Sequence, residues 1–222
     1  MNKVKEAVIY GASGLGREIY ELVGRDFSEQ FKVVAFIDDS DDAPKEIKGI
    51  PVVDKAFLND RELAVIVGFA STKAKKKLFE ELSAKSNLSF PNIVSKHALV
   101  NDDVQLGKGV VITDFCWIST NVEIDDATFL NVGTLVGHDA TIGKYCSFMS
   151  QCDICGNTKI DECVYCGAKT FFLQGIKVGN NAETAAGAIV IKNVKKNEIV
   201  SGNFAIPHIK HLAADVKDML NR

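Results

Sequence analysis

Apolar residues recur at every sixth position over the second half of the chain. The series starts Val94, Val100, Leu106, Ile112 and continues to Val190, and among its 17 positions only Thr184 is not apolar. With 46% hydrophobic residues overall, chance gives such a run in any of six phases with odds of order 10⁻⁴. A second series lies two residues before the first and is small or aliphatic: Ala98, Val104, Val110, Cys116, Val122, Thr128 and onward to Ala182 and Ala188. An α-helix cannot hold a period of six on one face, because its turn is 3.6 residues. A flat strand alternates at two and needs no corner. The period therefore predicts a triangular parallel β-coil, each flat side sending one large and one small side chain into a narrow prism. Three repeats make a coil of about 18 residues, so the tract holds about five coils.

Residues 1–88 have a different texture. Ala7–Tyr10 reads as a buried strand, followed by the glycine loop Gly11-Ala12-Ser13-Gly14-Leu15-Gly16 and a helix from Arg17 to about Gly24. Further strands are predicted at Phe31–Ile37, Ile50–Val53 and Leu63–Val67, and a lysine-rich amphipathic helix from Ser71 to Ala84. Strands alternating with helices after a glycine loop predict a small parallel α/β domain. Asn87–Ser95 reads as the hinge into residues 89–222. His208–Arg222 is predicted to form a helix that caps the coil, since an uncovered end would expose apolar core.

Composition narrows the classes. The chain has 222 residues and a formal net charge of −3, with no basic patch for nucleic acid and no polybasic arm for a membrane surface. It contains no run of 18 apolar residues and no N-terminal stretch like a signal peptide, so a cytoplasmic location is expected. Of the six cysteines, Cys152–Cys155 and Cys163–Cys166 form two CxxC pairs. Their repeat phases place the four sulfurs on different parts of a rigid coil, so buried thiols rather than a metal site are expected.

Candidate chemistry lies in two places. The glycine loop sits between a strand and a helix, where backbone N–H groups suit a phosphate. Its spacing is GxxGxG rather than the dinucleotide GxGxxG, and Asp38 and Asp39 end the second strand, where a carboxylate can accept from a ribose hydroxyl. A nicotinamide-dependent oxidoreductase is the weaker alternative, because the domain is short and no hydride-transfer site follows. The second place is His138, the one histidine in the middle of the coil, with Asp139 beside it. Its phase turns the imidazole out of the prism toward a coil edge, where it can act as a base near neutral pH.

The combination of GASGLG, Phe36-Ile37-Asp38-Asp39, six-residue repeats, Asn131 and His138-Asp139 resembles the bacterial nucleotide-sugar N-acetyltransferases. These belong with the sialic acid O-acetyltransferases among the left-handed β-helix, hexapeptide-repeat acyltransferases. The resemblance implies a left-handed coil, a homotrimer and active sites between neighbouring coils. It implies an acetyl-CoA-dependent N-acetyltransferase acting on a nucleotide-linked amino sugar by direct transfer, with no metal. Ser13, Gly14, Asp38 and Asp39 would meet the nucleotide, and Asn131 the sugar. Gly156, Ala168 and Ala186 would line the channel for the acyl donor, with a backbone N–H near Gly156 facing the oxyanion. His138 would be the general base, steadied by Asp139. O-acetylation of a sugar or sialic acid, and a non-catalytic nucleotide-binding scaffold, are the alternatives. Leu15 and Ser147 stand where the family often has histidine, and Phe69 where a polar residue is usual.

Overall fold

The computed structural model describes residues 4–204 and 206–207. The capping helix expected over His208–Arg222 lies outside the described residues. The chain begins with strand β1 (Lys5–Tyr10), helix α1 (Gly14–Asp26) and strand β2 (Phe31–Ile37), then the short β3 (Glu46–Ile47), β4 (Ile50–Val53), β5 (Leu63–Val67), helix α2 (Thr72–Leu82) and β6 (Leu88–Ser89). These strands form one sheet in the order β3-β4-β2-β1-β5-β6, parallel except for the β3–β4 pair. The predicted strands β2, β4 and β5 occur at their predicted residues.

Three local readings need correction. β3 was not expected; it forms because Lys48 (φ 51°) and Gly49 (φ 77°) make the two-residue left-handed turn that suits a hairpin. Helix α1 starts at Gly14 rather than Arg17, so part of the glycine loop is its first turn. The segment read as a hinge holds two short strands: Leu88–Ser89 pairs with β5, and Ile93–Val94 is already the first rung of the coil. A division at 88/89 falls inside β6, which belongs to the sheet.

From Ile93 onward the chain winds as a parallel β-solenoid with three flat faces. The first face begins with rungs Ile93–Val94, Val111–Ile112 and Phe129–Leu130, the second with Leu99–Val100, Trp117–Ile118 and Leu135–Val136, and the third with Gln105–Leu106, Glu123–Ile124 and Thr141–Ile142. Each rung up to Ile189–Val190 pairs at an offset of 18 residues, as Val111 with Phe129 and Trp117 with Leu135, while the last coil is shorter and pairs Glu183 with Ile199. The third face has five rungs, in agreement with about five coils. Both six-residue series point inward: Ile112, Ile118, Leu130, Val136, Phe148 and Phe172 are fully buried, as are the small Val110, Val122, Ala140, Cys146 and Ala182. The threonines among them are satisfied locally. Thr128 donates to the Gly143 carbonyl at 2.9 Å, and Thr184, the one break in the apolar series, shares a 2.8 Å hydrogen bond with Thr170.

The corners supply a third period of six that composition does not reveal. Gly109, Phe115, Asn121, Ala127, Gly133, Asp139, Tyr145, Gln151 and Asn157 all have φ between 50° and 70°. A left-handed conformation costs a non-glycine residue about 1–2 kcal/mol. Burying each large inward side chain returns about 1.5–3 kcal/mol, so non-glycine corners are tolerated wherever the rung beside them is well packed.

Both helices of the first unit reach the coil. Ile19, Leu22 and Val23 of α1 share a core with Ile9 and Phe36 of the sheet and with Ile93, Val111 and Phe129 on the outside of the first coil face. Arg25 grips Asp114 at 2.6 and 2.9 Å, and the buried Asp26 accepts from the Lys96 N–H at 3.0 Å. Hydrogen bonds from Arg25 hold the Asp26 carboxyl far below its ordinary range. On the other side of the sheet, α2 sets Phe79 against Ala127, Tyr145 and Cys163.

Lys75 of α2 is 1% exposed, and its Nζ donates to the Cys146 carbonyl. Desolvation pushes its pKa down to about 7, against a weaker opposing influence of Cys146 and Cys163. Between about pH 7 and pH 10.5 the unfolded chain therefore holds a proton that the folded chain lacks, and stability rises with pH across that window. We expect Lys75→Met to be more stable than the wild type at pH 7 by a few kcal/mol, the order set by a fall from 10.5 to about 7. The gap should narrow steadily toward pH 10 in urea denaturation at fixed temperature; a gap that does not change with pH would show that Lys75 is not buried neutral.

Candidate functional site

His138 and Asp139 occupy the corner between the second and third faces. The rung Leu135–Val136 feeds this corner, and Asp139 takes its left-handed position at φ 57°. Aspartate tolerates that conformation better than most residues. The Asp139 N–H donates to the Thr120 carbonyl at 3.1 Å, one coil below, and the Asn157 N–H donates to the His138 carbonyl at 2.8 Å, one coil above. The backbone of the pair is thus fixed from both sides. The imidazole leaves the prism as its phase predicts and is about half exposed.

Asp139 Oδ2 lies 2.7 Å from His138 Nδ1. An ionised carboxylate only accepts, so this bond places the hydrogen on Nδ1 and leaves the Nε2 lone pair free. Hydrogen bonds from Asn121 and then from His138 keep the Asp139 carboxyl below its ordinary pKa, which holds it ionised at neutral pH. Nε2 faces Gly156. A Cβ built on Gly156 would stand 2.7 Å from Nε2 and 2.8 Å from Cε1, so only glycine lets the ring sit there. Sequence inspection missed Asn121, whose amide donates to Asp139 Oδ1 at 2.7 Å. The available signal was its offset of 18 residues from Asp139.

Asn131, Ala168 and Ala186 lie at a different corner, between the first and second faces. They line a shallow groove of about 540 Å³ with Met149, Tyr165 and Gly167. The groove floor has to be small: a Cβ on Gly167 would lie 2.4 Å from the Ala186 nitrogen. Asn131 also borders a second hollow, of about 400 Å³, whose other wall is Glu18, Glu21 and Arg25 of α1. Ser147 is fully buried, and its hydroxyl has no hydrogen-bond partner among the described residues. Within one chain, therefore, the second face separates Asn131, Ala168 and Ala186 from His138, Asp139 and Gly156.

Ser13, Gly14, Asp38 and Asp39 gather at the C-terminal ends of β1 and β2. Ser13 precedes α1 with an exposed side chain that makes no capping bond, and the first turn of the helix has no acidic residue. The positive end of the helix is left uncompensated. Gly11 and Gly16 are required by packing, since a Cβ on Gly16 would lie 2.0 Å from the Gly11 carbonyl oxygen, but Gly14 is open, with nothing closer than 3.9 Å. Asp38 clasps the loop, accepting from the Ala12 N–H at 3.0 Å and from Ser40. Asp39 accepts from the Tyr10 hydroxyl at 2.6 Å and from the Lys55 N–H at 2.9 Å. Both carboxylates are thus engaged within the chain. Phe69 stacks edge-on against Tyr10 at 6.2 Å, beside this loop.

The cysteines pack as thiols. Cys116, Cys146, Cys152, Cys163 and Cys166 are buried and Cys155 is partly so. Burial pushes Cys146 up to about 12 and Cys116 and Cys152 up to about 11. Among the described residues no three His, Cys, Asp or Glu side chains gather as metal ligands, and no helix is long and apolar enough to cross a membrane.

Comparison with known proteins agrees with this architecture. Residues 6–82 match the family model of the PglD N-terminal domain. The structure is similar to WeeI from Acinetobacter baumannii AYE, with a TM-score of 0.83 and 29% identity over 91% of this chain and 100% of that one. It is similar to a variant of perosamine N-acetyltransferase from Caulobacter crescentus in complex with CoA and GDP-perosamine, with a TM-score of 0.85 and 22% identity over 93% and 98% of the two chains. It is also similar to the acetyltransferase domain of PglB from Neisseria gonorrhoeae in complex with acetyl coenzyme A, with a TM-score of 0.85 and 21% identity over 93% and 100%. A search among curated proteins returns no significant match by sequence. The resemblance drawn from the motifs is borne out: residues 6–82 match the PglD N-terminal domain, and the chain as a whole shares its fold with WeeI and with these two acetyltransferases.

Proposed function

We propose that this protein is an acetyl-CoA-dependent N-acetyltransferase acting on a nucleotide-linked amino sugar, by direct transfer with His138 as general base. One observation carries the reading: an imidazole whose Nδ1 is held by Asp139 at 2.7 Å while its free Nε2 overlies a glycine that has no room for a side chain. A bare scaffold has no use for that arrangement. The solved relatives that hold CoA, acetyl-CoA or GDP-perosamine support the choice of substrates.

The chemistry follows from the geometry. The acceptor amine attacks the thioester carbonyl, forming the C–N bond. His138 Nε2 takes the proton the amine gives up, and Asp139 stabilises the imidazolium. The tetrahedral oxyanion is met by a backbone N–H near Gly156. Collapse breaks the C–S bond and releases CoA as the thiolate, which the imidazolium can reprotonate. At the other end of the acceptor, the open Gly14 and the uncompensated start of α1 suit the diphosphate. With their carboxylates engaged, Asp38 and Asp39 would meet the nucleoside through remaining lone pairs and adjoining backbone.

The site needs more than one copy of the chain. The outer side of the second face carries a column of apolar residues one coil apart, with Leu99, Trp117 and Leu135 exposed by 70%, 44% and 38%. Asp153 interrupts the column, and Phe171 and Ile189 resume it. The N-terminal unit packs on the first face at Ile93, Val111 and Phe129, and the third carries Gln105, Glu123, Lys159 and Lys177 on its outer side. The second face is therefore the one that a trimer would bury. The His138 corner and the Ala168–Ala186 corner flank it on opposite edges, so a threefold arrangement would set one copy's histidine against the next copy's small-residue groove.

Two outcomes test this. With GDP-perosamine and UDP-linked 4-amino sugars as a panel of acceptors, thiol release from acetyl-CoA should fall about 10²–10⁴-fold in His138→Ala, with KM values little changed; an unaltered rate removes His138 from the mechanism. Leu135→Arg should yield monomers by sedimentation velocity, with the wild-type circular dichroism retained and activity lost. A fully active monomer would refute the shared site.

A further inference from the structure

The corner that carries His138 is built as a column. Asp103, Asn121, Asp139 and Asn157 succeed one another at intervals of one coil. Asp103 accepts from the Asn121 N–H at 2.9 Å and from the Thr120 hydroxyl. The Thr120 carbonyl accepts from the Asp139 N–H at 3.1 Å. Asn121 then spans the step with its side chain: Nδ2 donates to Asp139 Oδ1 at 2.7 Å, and Asp139 Oδ2 meets His138 Nδ1 at 2.7 Å. Both oxygens of the one carboxylate are committed, one to each partner.

Asp139 is 44% exposed at its side chain. A carboxylate this open has several rotamers within reach and water competing for its oxygens. A hydrogen bond to Oδ1 from a group fixed one coil below selects the rotamer that aims Oδ2 at the imidazole. The donor must be neutral, since a cation would weaken Asp139 as a partner for the imidazolium. It must also sit in a left-handed corner, where Asn121 has φ 54°. Asparagine meets both needs. We propose that Asn121 is a positioning residue for the reaction: its amide holds Asp139 in the rotamer that keeps the hydrogen on His138 Nδ1 and Nε2 free as the base. This rests on the reading of His138 as general base.

Two variants separate the amide from the backbone. Asn121→Gly keeps the left-handed corner without strain and removes the donor. Asn121→Asp is nearly isosteric, tolerates the same φ, and turns the donor into a carboxylate facing Asp139. The charged groups along this corner are Asp102, Asp103 and Asp139, with the thiol of Cys155 beside Gly156 in the next coil, so the added charge in Asn121→Asp is felt against a known background. In ¹⁵N-labelled protein, the wild-type His138 ring should show a single neutral tautomer protonated at Nδ1. Asn121→Gly should show a mixture and lose about tenfold in kcat with KM unchanged. In Asn121→Asp the acidic limb of the kcat/KM profile should move to higher pH, because the added carboxylate favours a protonated site. An Asn121→Gly protein with a wild-type tautomer, kcat and pH profile overturns the proposal while leaving His138 as base. Unchanged turnover in His138→Ala overturns the base assignment, and this inference with it.

Discussion

Hydrogen bonding from each rung to the rung 18 residues later governs the rest of this molecule. In a parallel coil the partner of every strand is one whole turn away in sequence, and that turn must contain three corners and no slack. The inward side chains can then stack in columns, and the outward ones must as well. The same rule that aligns Ile118 under Val136 aligns Trp117 under Leu135 and Asn121 under Asp139. Interior, outer surface and chemistry are three readings of one register.

That register explains how a small surface can hold an imidazole in place. An exposed histidine on a loop would sample many rotamers. Here its backbone is bonded to the coils above and below, and its ring lies over a glycine that cannot be anything larger. Asp139 serves the fold and the site at once, since the corner requires a residue that accepts left-handed φ and the imidazole requires a carboxylate. Corners occupied by Phe115, Tyr145 and Lys169 show that the fold alone does not demand an acidic residue.

The N-terminal unit is fastened to this frame rather than tethered to it. Helix α1 lies between the parallel sheet and the first coil face and shares a core with both. Helix α2 drives Lys75 into the corner near Cys146 and Cys163, where the amine is buried and donates to the Cys146 carbonyl. Burying an amine is costly, and the aromatic packing of Phe79 against Tyr145 and Phe90 beside it helps to offset that cost. A nucleotide held at the glycine loop would thus stand at a fixed distance from the coil, which transfer between two large substrates requires.

The sequence by itself determined the coil, its inward columns, the main strands of the sheet and the outward direction of His138. Each of these follows from a short-range period or from a single phase within it. The sequence did not disclose the left-handed corners, because Phe, Tyr, Lys, Gln and Cys occupy them as well as Gly and Asn. Nor did it disclose that β6 belongs to the sheet, since two residues carry no pattern. Only the tertiary structure decided that Asn121 reaches Asp139, that Gly156 lies beneath the imidazole, and that Ala168 and Ala186 stand across a face from both. Those relations depend on which residues stack a full turn apart and which corner each one occupies, and stacking of that kind exists only once the chain has closed its coils.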